Sequence, residues 1–224
     1  MKKLKPLITV FFVVLAACHP TSRDVKQTAQ DALENARIQL DSGNKVEAMR
    51  LFKEAEHYGL MANQTLTVAH ARYHIAQCLG YYADKEEVVL LLKAAAKGFG
   101  EDYADRAEAL RELGDFYQYH GQFDSSAYYL DQALAYAEQS GSLEAKRDCL
   151  SAFHVMYFNA GDYEKSADYL SQFWQASIAD ADDNLLMYYY HDMGNIFYES
   201  GNLDSADYYY SRLEELVSQT EPNE

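Results

Sequence analysis

Apolar residues recur every three or four positions through most of the chain, and the same arrangement returns at intervals of 40 residues. Leu110, Leu113 and Tyr117 form one such stripe, with the spacing that places side chains on one face of a helix. Equivalent stripes begin at Leu150 and at Tyr190, each one interval further along the chain. The pattern predicts a helix at the start of each of three successive units.

A glycine follows each stripe and predicts a turn into a second helix; these glycines are Gly121, Gly161 and Gly201. Nearby Asp and Ser residues supply turn and cap chemistry, so we expect the second helices to begin near Asp124, Tyr163 and Asp204. The inward face of each second helix is predicted to carry Ser126, Leu130 and Ala133, then Ser166, Leu170 and Phe173, then Ala206, Tyr210 and Leu213. Tyr129, Tyr169 and Tyr209 also recur at one position of the unit, which indicates a packing role. Such a unit is too small to bury its own apolar face, so the units are expected to stack.

Two weaker units precede these three. The first has its turn at Gly43-Asn44, followed by Ala48, Phe52 and Ala55, and the second at Ala83-Asp84-Lys85, followed by Val88, Leu92 and Ala95. Five helical hairpins are then predicted to fill residues 25–218, with a polar tail at 219–224. The outer face of the last helix carries Asp207 and Glu214 where earlier units are apolar, as expected of a terminal unit. Apolar surface at Leu216 and Val217 leaves a homodimer through the last unit open.

The repeated motif resembles the tetratricopeptide repeat (TPR). The residues that carry the resemblance are Leu113-Gly114 with Tyr117 and Gly121-Gln122-Phe123, then Gly161-Asp162-Tyr163, then Met193-Gly194 with Phe197 and Gly201-Asn202-Leu203. The unit differs from the family's length of about 34 residues, and the proline that usually follows the second helix is missing. The resemblance implies an all-α fold, a right-handed α-α superhelix (solenoid) of about five TPR-like hairpins.

The N-terminus has a different pattern. Lys2, Lys3 and Lys5 precede an apolar run over residues 7–15, which is far shorter than the roughly 20 residues of a membrane-spanning helix. Residues 1–17 are therefore predicted to be a signal peptide. The small residues before Cys18 resemble the lipobox of bacterial lipoproteins, which implies a lipidated Cys18 and a short tether over 18–24. An ordinary signal peptide with a chance cysteine is the alternative.

The chain is strongly acidic, with a formal net charge of −16 that becomes −19 without the three leader lysines. A surface of this charge repels phosphate backbones and anionic lipids, so we expect no nucleic-acid partner and membrane attachment through the N-terminal lipid only. Cys78 and Cys149 fall on first helices two units apart, which is too far for a disulfide. Both are predicted to be free thiols.

In the TPR family the first helices line the concave wall, so the candidate groove consists of first-helix residues that packing does not use. Counting from the turns gives His70, Tyr73, His74, Tyr81, Arg111, Asp115, Tyr119, Ser151, Val155, Phe158, Tyr188, His191, Asn195 and Tyr198. Few of these are basic, unlike in the family's subgroup that grips a terminal carboxylate. An extended partner segment with aromatic or basic side chains fits better, and Tyr73, Tyr119 and Tyr198 are hypothesised to contact it.

Other chemistry is weakly indicated. His70 and His74 are four residues apart and could face one metal, but no third ligand is placed by spacing, so two groove histidines and no metal are expected. His154 takes the place of Gly114 and Gly194, which indicates a packing role. The sequence has no phosphate-binding loop, no Gly-x-Ser-x-Gly elbow and no His-Glu-x-x-His motif. We therefore expect no enzymatic activity and no cofactor.

These features together favour a lipid-anchored adaptor for protein partners in the bacterial cell envelope. His19 after the predicted lipid-bearing cysteine favours the outer membrane, with the repeats facing the periplasm. The alternative is an extracytoplasmic sensor module that acts with a transmembrane regulator.

Overall fold

The computed structural model of the protein describes residues 22–220, with side chains from 23 to 219. The predicted signal peptide, Cys18 and most of the polar tail lie outside the described residues. The described part consists of ten helices and no strand. The helices are α1 (Ser22–Asp41), α2 (Lys45–Met61), α3 (Thr65–Leu79), α4 (Lys85–Gly98), α5 (Tyr103–Tyr119), α6 (Phe123–Ser140), α7 (Leu143–Asn159), α8 (Tyr163–Ser177), α9 (Asp183–Glu199) and α10 (Leu203–Thr220).

The helices form five hairpins that stack in chain order. Each helix packs against the next one in sequence, and the first helices of neighbouring hairpins also touch, as α1 does with α3 and α5 with α7. This confirms the all-α repeat fold. Helix α1 begins at Ser22, three residues before the predicted start at Val25.

Turns between paired helices repeat one geometry. The turn glycine has a left-handed φ of 68° at Gly121 and 78° at Gly161, a conformation that costs glycine least. One residue then precedes the second helix in both cases. The second hairpin differs, because its left-handed residue is Gly80, followed by a longer turn that ends at Asp84. The Asp84 carboxylate caps α4 by accepting a hydrogen bond of 3.0 Å from the Glu87 backbone N–H.

Small residues let the paired helices approach closely. Ser126, Leu130 and Ala133 are fully buried, as the sequence predicts for the inward face of α6. A Cβ atom at Gly114 would lie 2.7 Å from Leu130 Cδ2, so α5 has no room for a side chain there. Gly194 on α9 has the same relation to Tyr210, at 2.5 Å from its Cε1 atom. The motif glycine therefore sets the spacing between the paired helices of the third and fifth hairpins.

The recurring second-helix tyrosines stack on aromatic residues of the preceding first helix. The ring centroids lie 5.3 Å apart for Tyr117 and Tyr129, with nearly parallel planes. The same pairs in the next two hairpins are Tyr157 with Tyr169 at 5.5 Å and Phe197 with Tyr209 at 5.5 Å. The predicted packing role of these tyrosines is confirmed, and it accounts for part of the tyrosine content of the chain.

Both cysteines of the described part are free. Cys78 lies on α3 and Cys149 on α7, with three helices between them, as predicted. Burial raises the pKa of Cys78, and it raises the pKa of the fully buried Cys149 to about 12. At neutral pH both are therefore thiols rather than reactive thiolates.

Candidate interaction groove

Three cavities open along the wall formed by the first helices. The aromatic cavity, of about 480 Å³, is lined by Tyr81, Arg111, Asp115, Gln118, Tyr119, Asp148, Ser151, Ala152 and Val155. The acidic cavity, of about 270 Å³, is lined by Ala104, Asp105, Glu108, Arg111, Ser142, Glu144, Ala145, Asp148 and Cys149. The histidine cavity, of about 250 Å³, is lined by Arg37, His70, Tyr73, His74, Phe99, Asp105 and Glu108. The aromatic and acidic cavities share Arg111 and Asp148, and together they are called the central groove below.

The aromatic cavity brings together six residues that the sequence predicts for the wall: Tyr81, Arg111, Asp115, Tyr119, Ser151 and Val155. One side of the cavity is formed by the ring of Tyr81 stacked on that of Tyr119, with ring centroids 5.1 Å apart. Tyr82 adds an edge contact to the Tyr119 ring at 5.5 Å. Tyr119 is 47% exposed and Val155 38% exposed, so both can contact a ligand.

An ion pair within α5 forms one side of this cavity. Arg111 Nη1 lies 2.5 Å from Asp115 Oδ2, one helical turn further on, and Arg111 Nη2 lies 3.6 Å from Glu112 Oε2. Burial nevertheless raises the pKa of Asp115 to about 6, because it outweighs the stabilising charge of Arg111. Asp115 is therefore a carboxylate whose charge is costly at neutral pH.

Four carboxylates line the acidic cavity: Asp105, Glu108, Glu144 and Asp148. Burial raises the pKa of Asp105 and of Asp148, and nearby carboxylates raise both further. Within residues 22–220, neither Glu144 nor Asp148 has a hydrogen bond or an ion pair through its carboxylate. Sequence reasoning missed all four, because counting from the turns selected other positions, although acidic residues three and four apart on α5 and α7 were a usable signal.

The predicted histidine pair lies in the third cavity with packing partners. His70 Nε2 is 3.3 Å from Asp105 Oδ2, and the His74 ring stacks on Phe52 with centroids 4.8 Å apart. Burial lowers the pKa of both histidines. Among residues 22–220, no group of three or more His, Cys, Asp or Glu side chains is placed to hold a metal ion.

Tyr73 differs from the expected open recognition residue. Its side chain is only 5% exposed, and its hydroxyl donates a hydrogen bond of 2.6 Å to Glu108 Oε1. The hydroxyl also accepts a hydrogen bond of 2.7 Å from Gln77 Nε2. Tyr73 therefore packs α3 against α5 and offers little surface to a ligand.

The remaining predicted residues lie apart from the central groove. Phe158 packs edge-on against Tyr163 at 5.7 Å, and Tyr188 packs in the same way against Phe173 at 5.9 Å. Asn195 Oδ1 accepts a hydrogen bond of 2.8 Å from the Tyr210 hydroxyl. His191 and Tyr198 are exposed on α9. The wall that the sequence predicts as one continuous strip thus has its cavities at α5 and α7, while on α9 two of the four predicted residues are engaged in packing contacts and two are exposed.

His154 joins three helices at the α9 end of the wall. The imidazole Nδ1 lies 2.9 Å from Ser166 Oγ on α8, and Nε2 lies 3.2 Å from Asp192 Oδ2 on α9. A serine, a histidine and an aspartate in contact resemble a hydrolytic triad, but Ser166 is fully buried and its hydroxyl donates to the His154 carbonyl. The predicted packing role of His154 therefore agrees with this network.

None of the helices over residues 22–220 combines the length and the apolar character needed to cross a membrane.

Comparison with known proteins identifies the fold. No family model matches the chain, and no curated protein matches it in sequence. The solved structure of BtubC (BKLC) from P. vanneervenii is similar, with a TM-score of 0.72 and 12% identity over 91% of this chain and 93% of that one. A protein of nearly identical TPR-like repeats from Podospora anserina, named for kinesin light chain, has a TM-score of 0.68 and 16% identity over 89% and 96% of the two chains.

A third similar structure is that of a Rap protein complexed with competence and sporulation factor. Its TM-score is 0.65 and its identity 15%, over 88% of this chain and 65% of the Rap chain. At these identities the likeness concerns the fold alone. The chain has the TPR-like helical-repeat solenoid fold.

Proposed function

We propose that this protein is an adaptor that binds an extended segment of a partner protein in the central groove. The observation that carries the proposal is the aromatic cavity of about 480 Å³, which lies between neighbouring first helices and exposes Tyr119 and Val155. A preformed wall lowers the entropy lost when a flexible segment binds. Stacked tyrosines add a large contact area with few rotatable bonds. The Rap structure, solved with a bound factor, supports ligand binding by this fold.

We further propose that Cys18 carries the lipid that anchors this adaptor in the bacterial cell envelope, at the outer membrane and facing the periplasm. The support is the order of charged start, apolar run and small residues before Cys18. Metabolic labelling with an alkyne fatty acid tests it. We expect label on the wild type and none on Cys18→Ala, with the variant released from the membrane fraction; equal labelling of both would contradict the anchor.

The groove itself is tested by blocking it. Val155→Arg places a long cationic side chain in the aromatic cavity, and we expect it to reduce the amount of partner that co-purifies with the protein from membranes. Val46→Arg is the matched control, since Val46 is 85% exposed on α2, away from the groove. Equal partner recovery with both variants would show that binding occurs elsewhere.

A further inference from the structure

The acidic cavity has more negative charge than its surroundings neutralise. Among the described residues that line it, Arg111 is the one lysine or arginine, against four carboxylates. The guanidinium of Arg111 is already paired, at 2.5 Å to Asp115 Oδ2 and 3.6 Å to Glu112 Oε2. Within residues 22–220, Glu144 and Asp148 thus face the cavity without an ion pair, although the charges of Arg111 and Arg147 limit the rise in the pKa of Asp148.

Neighbouring cations are directed away from this cavity. Arg147 adjoins Asp148 in sequence, but its guanidinium lies 2.5 Å from Asp180 Oδ1, and its Nε donates to the Ala176 carbonyl at 3.0 Å. Arg37 lies in the histidine cavity, where it opposes the rise in the pKa of Asp105 without reversing it. The fold therefore leaves a place for a cation that the described residues do not fill.

The adjoining aromatic cavity indicates which kind of ligand would carry the cation. Arg111 and Asp148 belong to both cavities, so a ligand that fills one touches the wall of the other. Alternate side chains of an extended segment lie on the same side, about 7 Å apart. A segment can therefore place one side chain in each cavity.

We propose that the groove selects a cationic segment, in which a lysine or arginine enters the acidic cavity and a nearby aromatic or aliphatic side chain packs on Tyr81, Tyr119 and Val155. This inference rests on the proposed function and specifies the partner's chemistry. Charge complementarity supports it, since a cation close to four carboxylates that line one cavity relieves their mutual repulsion.

A second copy of this chain is a poorer occupant. Its formal net charge is −16, so it would bring like charge toward the carboxylates of the groove. Phosphate-rich polymers and anionic lipids are disfavoured for the same reason.

The test is selection from a positional-scanning library of ten-residue peptides with blocked termini, using the full chain purified in detergent. We expect enrichment of Lys or Arg near Phe, Tyr or Leu. The affinity of the best peptide, measured by fluorescence polarisation, should fall by about tenfold or more in Glu144→Gln/Asp148→Asn. It should also fall as NaCl is raised from about 0.05 M to about 0.5 M.

The matched control is Asp207→Asn/Glu214→Gln, which removes the same charge from exposed positions on α10 and should leave the affinity unchanged. Glu144 and Asp148 are exposed as well, so circular dichroism should show the same helix content in both double variants. Equal affinity of the two variants would overturn the inference.

The outcomes separate this inference from the proposed function. If the selected peptides are neutral or acidic but Val155→Arg still abolishes their binding, the groove binds a segment and the cationic preference is wrong. If no peptide is selected, or if Val155→Arg has no effect on binding, both proposals fail. A concentration-dependent dimer that Val155→Arg dissociates would make a second copy the occupant and would also overturn the inference.

Discussion

Carboxylates in the middle of the inner wall, at the central groove, and carboxylates at its α9 end have pKa values shifted in opposite directions. In the middle, burial raises the pKa of Asp148, which has no ion pair or hydrogen bond through its carboxylate within residues 22–220. At the α9 end, burial acts on the pKa of Asp192 in the same direction, but hydrogen bonds from His154 and His191 outweigh it and lower that pKa. A raised pKa of an acid therefore supports a proposed binding surface only where the surrounding groups leave the charge unsatisfied.

The two regions also differ in how many of their other side chains are engaged in contacts. At the α9 end, Asp192, Asn195 and Tyr188 are engaged in contacts that hold the hairpins together. In the middle, Tyr119 and Val155 remain exposed beside acids that crowd one another. The engaged residues at the α9 end contribute to stability, whereas the exposed residues in the middle lose no packing contact if a ligand binds there as proposed.

The largest expected effect that tests this contrast is the removal of the buried imidazole at the α9 end. His154→Ala should lower the free energy of unfolding by about 2–4 kcal/mol, because it leaves a cavity and takes the hydrogen-bond partner from Ser166 and Asp192. Urea denaturation of the purified chain measures this change. His191→Ala is the control, since that exposed residue contacts the same carboxylate and should cost less than about 0.5 kcal/mol. Similar losses in both variants would contradict the role of His154 as a link between α7, α8 and α9.

The two regions should also differ when an acid is neutralised at pH 7. Asp192→Asn should cost about 1–2 kcal/mol of unfolding free energy, because it weakens hydrogen bonds to two histidines. Asp148→Asn should change the unfolding free energy by no more than about 0.5 kcal/mol, because no pairing is lost. Parallel urea titrations of the two variants compare them directly, and a larger loss from Asp148→Asn would reverse the comparison.

A smaller difference is expected in the dependence of stability on pH. Asp115 has a folded pKa of about 6, above its value in the unfolded chain, so folding takes up a proton in this range. Its contribution is therefore present at about pH 4 and is lost as the pH rises through 6. Arg111, Glu112 and Asp148 are the charged groups that act on it.

Lowering the pH from about 7 to about 4 should raise the unfolding free energy of the wild type relative to Asp115→Asn by about 1–2 kcal/mol, after allowance for solvent screening. Asp192, with its lowered pKa, acts in the opposite direction and only below about pH 4. Thermal melts of the two proteins at several pH values measure the difference, which should vanish if Asp115 has an ordinary pKa.

Much of the fold follows from sequence because the relevant contacts are local and repeated. The spacing of Leu110, Leu113 and Tyr117 determines one face of α5, and Gly121 determines where the helix turns. Counting outward from these turns also finds most of the aromatic cavity, since helical periodicity determines which positions remain free on the wall.

The charge state of the wall could not be predicted, because it depends on contacts between residues far apart in sequence. Arg147 pairs with Asp180, 33 residues away, rather than with the adjacent Asp148. Tyr73 is buried, and its hydroxyl donates a hydrogen bond to Glu108, 35 residues away. Neither of these two contacts can be predicted from the spacing of apolar and polar residues within one helix.

The most direct test of the groove is photocrosslinking from positions 119 and 128. A benzophenone amino acid replaces either Tyr119, at 47% exposure in the aromatic cavity, or Tyr128, at 60% exposure on α6. With the co-purifying partner, the groove assignment predicts a crosslink from position 119 and none from position 128, and the crosslink should disappear when Val155→Arg is added. A partner that crosslinks equally from both positions, or only from position 128, would contradict it.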